Sequence, residues 1–202
     1  MKKWMLTIIS TVLLAAFFTV GAAAATQHTV VRGDTMWKIA VTYRMGLSEI
    51  RAANPQIANP NLIYPGQVLI IPEAEASVTA YENEVIRLVN DIRLENGLAP
   101  LTAHWELSRV ARYKSQDMKE NRYFSHTSPV YGSPFQMMKS FGLSYRSAGE
   151  NIARGQRTPQ EVVTAWMNSS GHRANILNAS FTHIGVGYVS DGNYWTQMFI
   201  GR

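Results

Sequence analysis

The 202-residue chain contains no cysteine. That excludes disulfides, thiolate metal sites and a cysteine nucleophile together. An exported chain of this kind holds itself together by packing alone, which suits a bacterial export product better than an animal secreted domain. Charge of one sign is also scarce. The formal excess of +5 includes Lys2 and Lys3, leaving about +3 without them. So weak an excess does not announce a nucleic-acid binder, so no nucleic-acid partner is expected. It would suit an anionic surface such as a bacterial wall. The chain has no internal repeat, no G-x-S-x-G turn that would expose a serine nucleophile, and no βαβ alternation of the kind that builds a parallel sheet.

Residues 1–25 have the layout of a secretory signal peptide. Met1-Lys2-Lys3 gives a positive start, Trp4 to Val20 is apolar apart from Thr and Ser, and Ala22–Ala25 supplies small residues of the A-x-A kind. The run ends in alanines rather than a basic stop-transfer cluster, so cleavage is expected. Membrane contact is then limited to the signal peptide before cleavage. The remaining 177 residues suffice for one or two domains, and an apolar fraction of 46% can build real cores. Composition changes at PEAEASVTA, and the short, acidic, small-residue stretch 73–80 reads as a linker.

Ahead of that linker, HTVV alternates as a strand, and GQVLIIP is a second strand closed by Pro72. Thr35 is placed to cap a helix with Met36, Ile39, Ala40 and Tyr43 at helical spacing. Leu47–Ala53 makes a second helix, stopped by Asn54-Pro55. The order is βααβ. So small a unit has little core, and Trp37 and Ile39 are expected to supply much of it. The words GDTMWKIA, NP-x-I and YPGQ-x-L-x-IP resemble the LysM module, in order, over residues 28–72. The resemblance implies binding of peptidoglycan or another N-acetylglucosamine-containing glycan. It places a shallow groove between the Gly33-Asp34-Thr35-Met36 turn and the Ile57–Ile63 loop, which includes Asn61. Turn amides and short polar side chains there can hydrogen-bond an acetamido group, with Met36 and Ile63 as an apolar floor. The bare residues also allow a simpler reading, in which Gly33, Asp34 and Thr35 only make a turn and a cap.

After the linker, four helical segments precede a hairpin. Tyr81–Asn96 carries Val85, Leu88, Val89 and Ile92 on one face, with Gly97 as its C-terminal cap. Thr102 is expected to cap the next helix, with Leu107, Val110, Ala111 and Met118 inward. Ser133-Pro134 and Thr158-Pro159 start two more. Strand alternation then flanks Asp191-Gly192, a hairpin signal. Helices early and strands late give an α+β fold class.

Among five histidines, His28, His104 and His183 read as surface or strand residues. His126 and His172 lie where helix meets loop, in FSHTSP and SSGHRANIL; the latter segment opens a short helix. Glu161 completes a capping box with Thr158 and reads as structural. Glu150, in AGENIA, stands in a turn without a basic neighbour at helical spacing, either bonded to backbone amides or facing a cleft. FSHTSPVYGSPF, AGENIA, VVTAWMNSSGHRANIL and FTHIGVGY together resemble the CAP superfamily of cysteine-rich secretory proteins, in a cysteine-free bacterial form, over residues 81–202. The resemblance implies an α-β-α sandwich. Its eukaryotic members gather two histidines and two glutamates in a cleft. By position, His126 and His172 are the histidines and Glu150 the first glutamate, while Ser169 stands where the second belongs.

Two imidazoles and one carboxylate make a poor metal site, so no metal and no cofactor is expected. Such a cluster can still perform acid–base work. His172, near a helix N-terminus, is expected to be biased neutral by the dipole and to serve as base, with Glu150 orienting an imidazole and His126 as a second acid or base. The leading reading is a secreted, cell-wall-associated protein that binds peptidoglycan through LysM and bears a cleft of unresolved activity. The alternatives are a wall hydrolase or protease using that cleft, and a sporulation, spore-coat or cortex-associated protein of the spore envelope.

Overall fold

The computed structural model describes residues 26–72 and 76–202. The expected signal peptide lies outside them, as do residues 73–75 of the expected linker. Residues 76–80 of that stretch already belong to a helix.

In the N-terminal module, β1 (Thr26–Thr29) pairs antiparallel with β2 (Val68–Ile71), Thr26 opposite Ile71. Between them run α1 (Met36–Thr42) and α2 (Leu47–Ala53). Thr35 Oγ1 accepts from the Lys38 amide and caps α1. Met36, Ile39, Ala40, Ile50, Leu69 and Ile71 form the core. Trp37 is not part of it: the indole is 64% exposed. At helical spacing Met36, Ile39 and Ala40 share one face, and Trp37 is rotated about 100° away from Met36. The Asn-Pro word that stops α2 is a rivet. Buried Asn54 donates through Nδ2 to the carbonyls of Ile50 and Ile70, both at 2.7 Å, and accepts from the Ile70 amide at 2.8 Å. One amide side chain thus ties the end of α2 to β2.

The C-terminal domain comprises α3 (Ala76–Glu95), β3 (Thr102–Ala103), α4 (Trp105–Glu120), α5 (Pro134–Ser140), β4 (Ser147–Arg154), α6 (Pro159–Met167), α7 (Ser170–Ile176), β5 (His183–Val189) and β6 (Tyr194–Gly201). The sheet order is β3-β5-β6-β4. Strand alternation sorts the faces. Ile184, Val186, Trp195 and Phe199 pack on α3, α6 and α7. Met198 and Ile200 pack on α4 and α5 through Leu107, Val110, Met137 and Met138. The result is helices, sheet, helices. Gly185 and Gly187 make the α4 side possible, because a methyl group at either would lie within the backbone of α4. The helix therefore rests directly on bare β5.

Two local expectations fail here. Thr102 does not cap α4: it sits in β3, parallel to β5, and His104 is the cap, its Nδ1 accepting from the Leu107 amide at 3.2 Å. AGENIA is not a turn; it forms β4, paired with β6, Glu150 opposite Met198. A second glycine-containing strand, half polar, carries little period-two signal of its own. Glu161 is structural, though its carboxylate accepts from the Arg157 amide at 2.7 Å rather than from that of Thr158.

Candidate functional site

β4 is the outer strand, and its consecutive residues Glu150 and Asn151 face opposite layers. Glu150 turns toward the α4 side, where the loop after α4 brings His126 to it. Glu150 Oε1 lies 2.7 Å from His126 Nδ1, with the carboxylate side chain 1% exposed and the imidazole 52% exposed. When ionised, the carboxylate can only accept, which makes Nδ1 the donor and leaves Nε2 as the ring nitrogen free of this contact. Glu150 Oε2 is buried without a hydrogen-bond partner among the described residues. Burial pushes the Glu150 carboxyl above its usual range, opposed by the His126 hydrogen bond and the charge of Lys114. The loop itself is fastened from below: buried Lys114 donates to the carbonyls of Ser125 and His126 at 2.8 and 2.9 Å.

Asn151 turns toward α7. Its Nδ2 donates to the carbonyl of His172 at 3.1 Å and to Gln197 Oε1 at 2.9 Å, and its Oδ1 accepts from Asn175 Nδ2 at 2.8 Å. Asn175 also donates to the Glu150 carbonyl. At the far end of α7, buried Arg93 donates to the carbonyls of Ile176 and Asn178 at 2.7 and 3.0 Å. A seven-residue helix is not stable alone, and these contacts hold it on the sheet. They set where His172 stands. Its imidazole is half-buried, and its pKa is lowered, first by burial and then by repulsion from the positive charge that His126 carries when protonated. The neutral bias expected for His172 is present, but burial and His126 are its causes. Ser169 occupies the N-cap position of α7 without a side-chain capping bond.

The structure thus brings His126 and Glu150 into direct contact and His172 within electrostatic reach of His126. It pairs Glu150 with His126 rather than with His172. The donor set does not fit a tightly held divalent ion. Ser169 replaces one carboxylate, Glu150 Oε1 is engaged by His126, and Glu150 Oε2 is closed off. Among the described residues no three His, Cys, Asp or Glu side chains are gathered as a metal would require. Lys114, Asn151, Asn175 and Arg93 hold the segments that carry the candidate residues, and sequence reasoning missed them. The only available signal was the adjacency of Asn151 to Glu150 and of Asn175 to His172.

In the N-terminal module a groove of about 420 Å³ is lined by Met36, Arg51, Ala52, Asn54, Pro55, Ile57, Ala58 and Pro60. Of the residues expected to contact glycan, Met36 and Ile57 line it. The others lie around it or serve the fold. Asp34 Oδ2 accepts from the Val31 amide and faces His28 Nε2, both at 2.9 Å. The Thr35 hydroxyl caps α1, and the Gly33 carbonyl accepts from Lys38 Nζ at 2.8 Å. Ile63 packs on the core edge, while Asn61 is exposed. His28, read as a surface residue, instead links Asp34 to the Tyr43 hydroxyl.

Comparison with known proteins agrees with this architecture. Residues 28–72 match the LysM domain model, and residues 86–200 match the model of the cysteine-rich secretory protein family, CAP. The chain is 64% identical over 129 residues to uncharacterized protein YkwD of Bacillus subtilis, covering 64% of this chain and 50% of YkwD. It is 32% identical over 88 residues to the N-acetylmuramoyl-L-alanine amidase sle1 of Staphylococcus epidermidis, covering 44% of this chain and 26% of that protein. An SCP-domain extracellular protein from Bacillus anthracis superposes with a TM-score of 0.61 at 32% identity, over 68% of this chain and 47% of that one. The chain spans about half the length of YkwD. A LysM domain suited to peptidoglycan is followed by an α+β sandwich, and on the match over 86–200 the chain belongs to the cysteine-rich secretory protein (CAP) family.

Proposed function

We propose that the chain is a secreted, cell-wall-associated protein. Its LysM domain holds it on peptidoglycan or a related N-acetylglucosamine-containing glycan, and its CAP domain presents the His126–Glu150–His172 cleft to a wall-derived ligand. The observation that carries this reading is the Glu150–His126 contact at 2.7 Å, with the carboxylate buried and the ring half open to solvent. A buried acid orienting an exposed imidazole presents one bare Nε2 outward, suited to accept a proton or a hydrogen bond from a bound group. The LysM groove supports the wall address: Met36 and Ile57 line it, and we assign Gly33, Asp34, Thr35, Asn61 and Ile63 to its surroundings as further glycan contacts. Similarity to an amidase acting on N-acetylmuramoyl groups supports the same address.

A second reading, a wall hydrolase, is favoured by the same dyad. His126 would be the base, Glu150 its orienting partner and His172 a second proton carrier held neutral near pH 7. One assay separates the two. Purified protein is incubated with isolated cell walls, and both sedimentation and released fragments are followed for wild type, His126→Ala, Glu150→Ala and His172→Ala. Pelleting without fragments supports binding; fragments lost in the variants support hydrolysis. Protein that stays in the supernatant overturns the wall address.

A further inference from the structure

Lys114 is the least expected residue near the cleft. It lies in the middle of α4, and its side chain is wholly buried. Its ammonium uses all three donors: to the Tyr123 hydroxyl at 2.9 Å, the Ser125 carbonyl at 2.8 Å and the His126 carbonyl at 2.9 Å. Tyr123 in turn donates to Asp117, which also accepts from Asn121 Nδ2. Asp117 is therefore served by neutral donors. Among the described residues Glu150 has His126 alone as a direct side-chain partner, and one of its oxygens has none.

Fastening a loop by two carbonyls does not require a charge; a neutral amide would do it. Burying a lysine is costly unless hydrogen bonds and an opposite charge are close. Burial does pull the Lys114 pKa down, and the Glu150 and Asp117 charges oppose that fall. The buried cation and the buried carboxylate thus meet the same residue, Lys114 at the His126 carbonyl and Glu150 at the His126 ring.

We propose that Lys114 is the positioning residue of the cleft: by clamping the Ser125 and His126 carbonyls and standing as the buried cation opposite Glu150, it fixes His126 with Nδ1–H on Glu150 and the Nε2 lone pair toward the ligand. The inference rests on the cleft reading above but concerns the resting state of the site. It is tested without any ligand, so failure of the wall assay leaves it standing, and the reverse also holds.

The test is long-range nitrogen–proton NMR of the ¹⁵N-labelled full chain, with the His126 ring assigned by comparison with His126→Gln. In wild type at neutral pH the proton is expected on Nδ1. Lys114→Met, which removes charge and donors together, is expected to lose that single tautomer and redistribute the proton between the ring nitrogens. Lys114→Arg, which keeps both, is expected to retain it. A folded Lys114→Met that keeps the Nδ1–H form overturns the proposal, because a merely structural lysine would leave the tautomer alone. If Lys114→Met does not fold, the other two samples decide. An Nε2–H ring in wild type, or its appearance in Lys114→Arg, overturns the proposal; Nδ1–H in both supports it.

Discussion

Replacing Asn151 with alanine should release His172 while leaving the His126–Glu150 contact in place. Asn151 is fully buried and makes three hydrogen bonds, to the His172 carbonyl, Gln197 Oε1 and Asn175 Nδ2. Gln197 is itself fully buried, and among the described residues its Nε2 already lacks a partner. The substitution would strand both polar ends of Gln197. An abandoned buried partner costs about 1–3 kcal/mol. Gln197 takes the upper part of that range, and the half-buried His172 and Asn175 groups recover part of theirs from water. The expected loss is about 3–5 kcal/mol, a large share of the roughly 5–15 kcal/mol that holds a domain folded. Urea unfolding of the full chain measures it, followed by the fluorescence of the core indoles Trp166 and Trp195. Asn151→Ala/Gln197→Ala should lose less than the sum of the two single variants by at least about 1 kcal/mol, because the stranded pair is removed together. A loss under about 1 kcal/mol for Asn151→Ala, or strict additivity with Gln197→Ala, would refute the account of how α7 is held.

Four further outcomes are expected. Burial raises the folded pKa of Glu150 above its ordinary value of 4.5, so its stabilising share is full below that value and is lost as pH rises through the folded pKa. Glu150→Gln should therefore gain in melting temperature relative to wild type between pH 4.5 and pH 8, and a difference that stays flat with pH would contradict this. His172 works in the opposite sense: its lowered pKa gives stability present above 6.5 and lost as pH falls through the folded value, so His172→Gln should flatten the acid side of the same profile. Arg112→Ala leaves the buried Glu82 carboxylate, which joins α3 to α4, with the Tyr188 amide as its remaining hydrogen-bond donor. It should cost about 3–5 kcal/mol, read by denaturant midpoint. Asn54→Ala should unfold the LysM module alone: wall pelleting is lost while the Trp166 and Trp195 transition is unchanged.

Helix faces were legible from residue order because a helix states its buried side at a fixed local period. Val85 and Val89, Leu107, Val110, Ala111 and Met118, and Met137 and Met138 all lie inward as their spacing requires. Turn and cap chemistry was legible for the same local reason, at Thr35, at Ser133-Pro134 and at Gly97 with its positive φ. Trp37 misled because size suggested burial where the helical angle forbade it. β4 was illegible because its partner β6 lies more than forty residues later, and pairing is a long-range choice.

By itself the sequence determined an α+β chain in two modules, the buried faces of the helices other than at Trp37, and which histidines and which acid are candidates for one cleft. These follow from periodicity, turn stereochemistry and residue type, all of them local. Only the tertiary structure decided that Glu150 meets His126 rather than His172, that Asn151 and Arg93 hold α7, and that a buried lysine lies beneath the site. Those are contacts between segments tens of residues apart, set by which strand takes the sheet edge and how α4 settles on the bare glycines of β5.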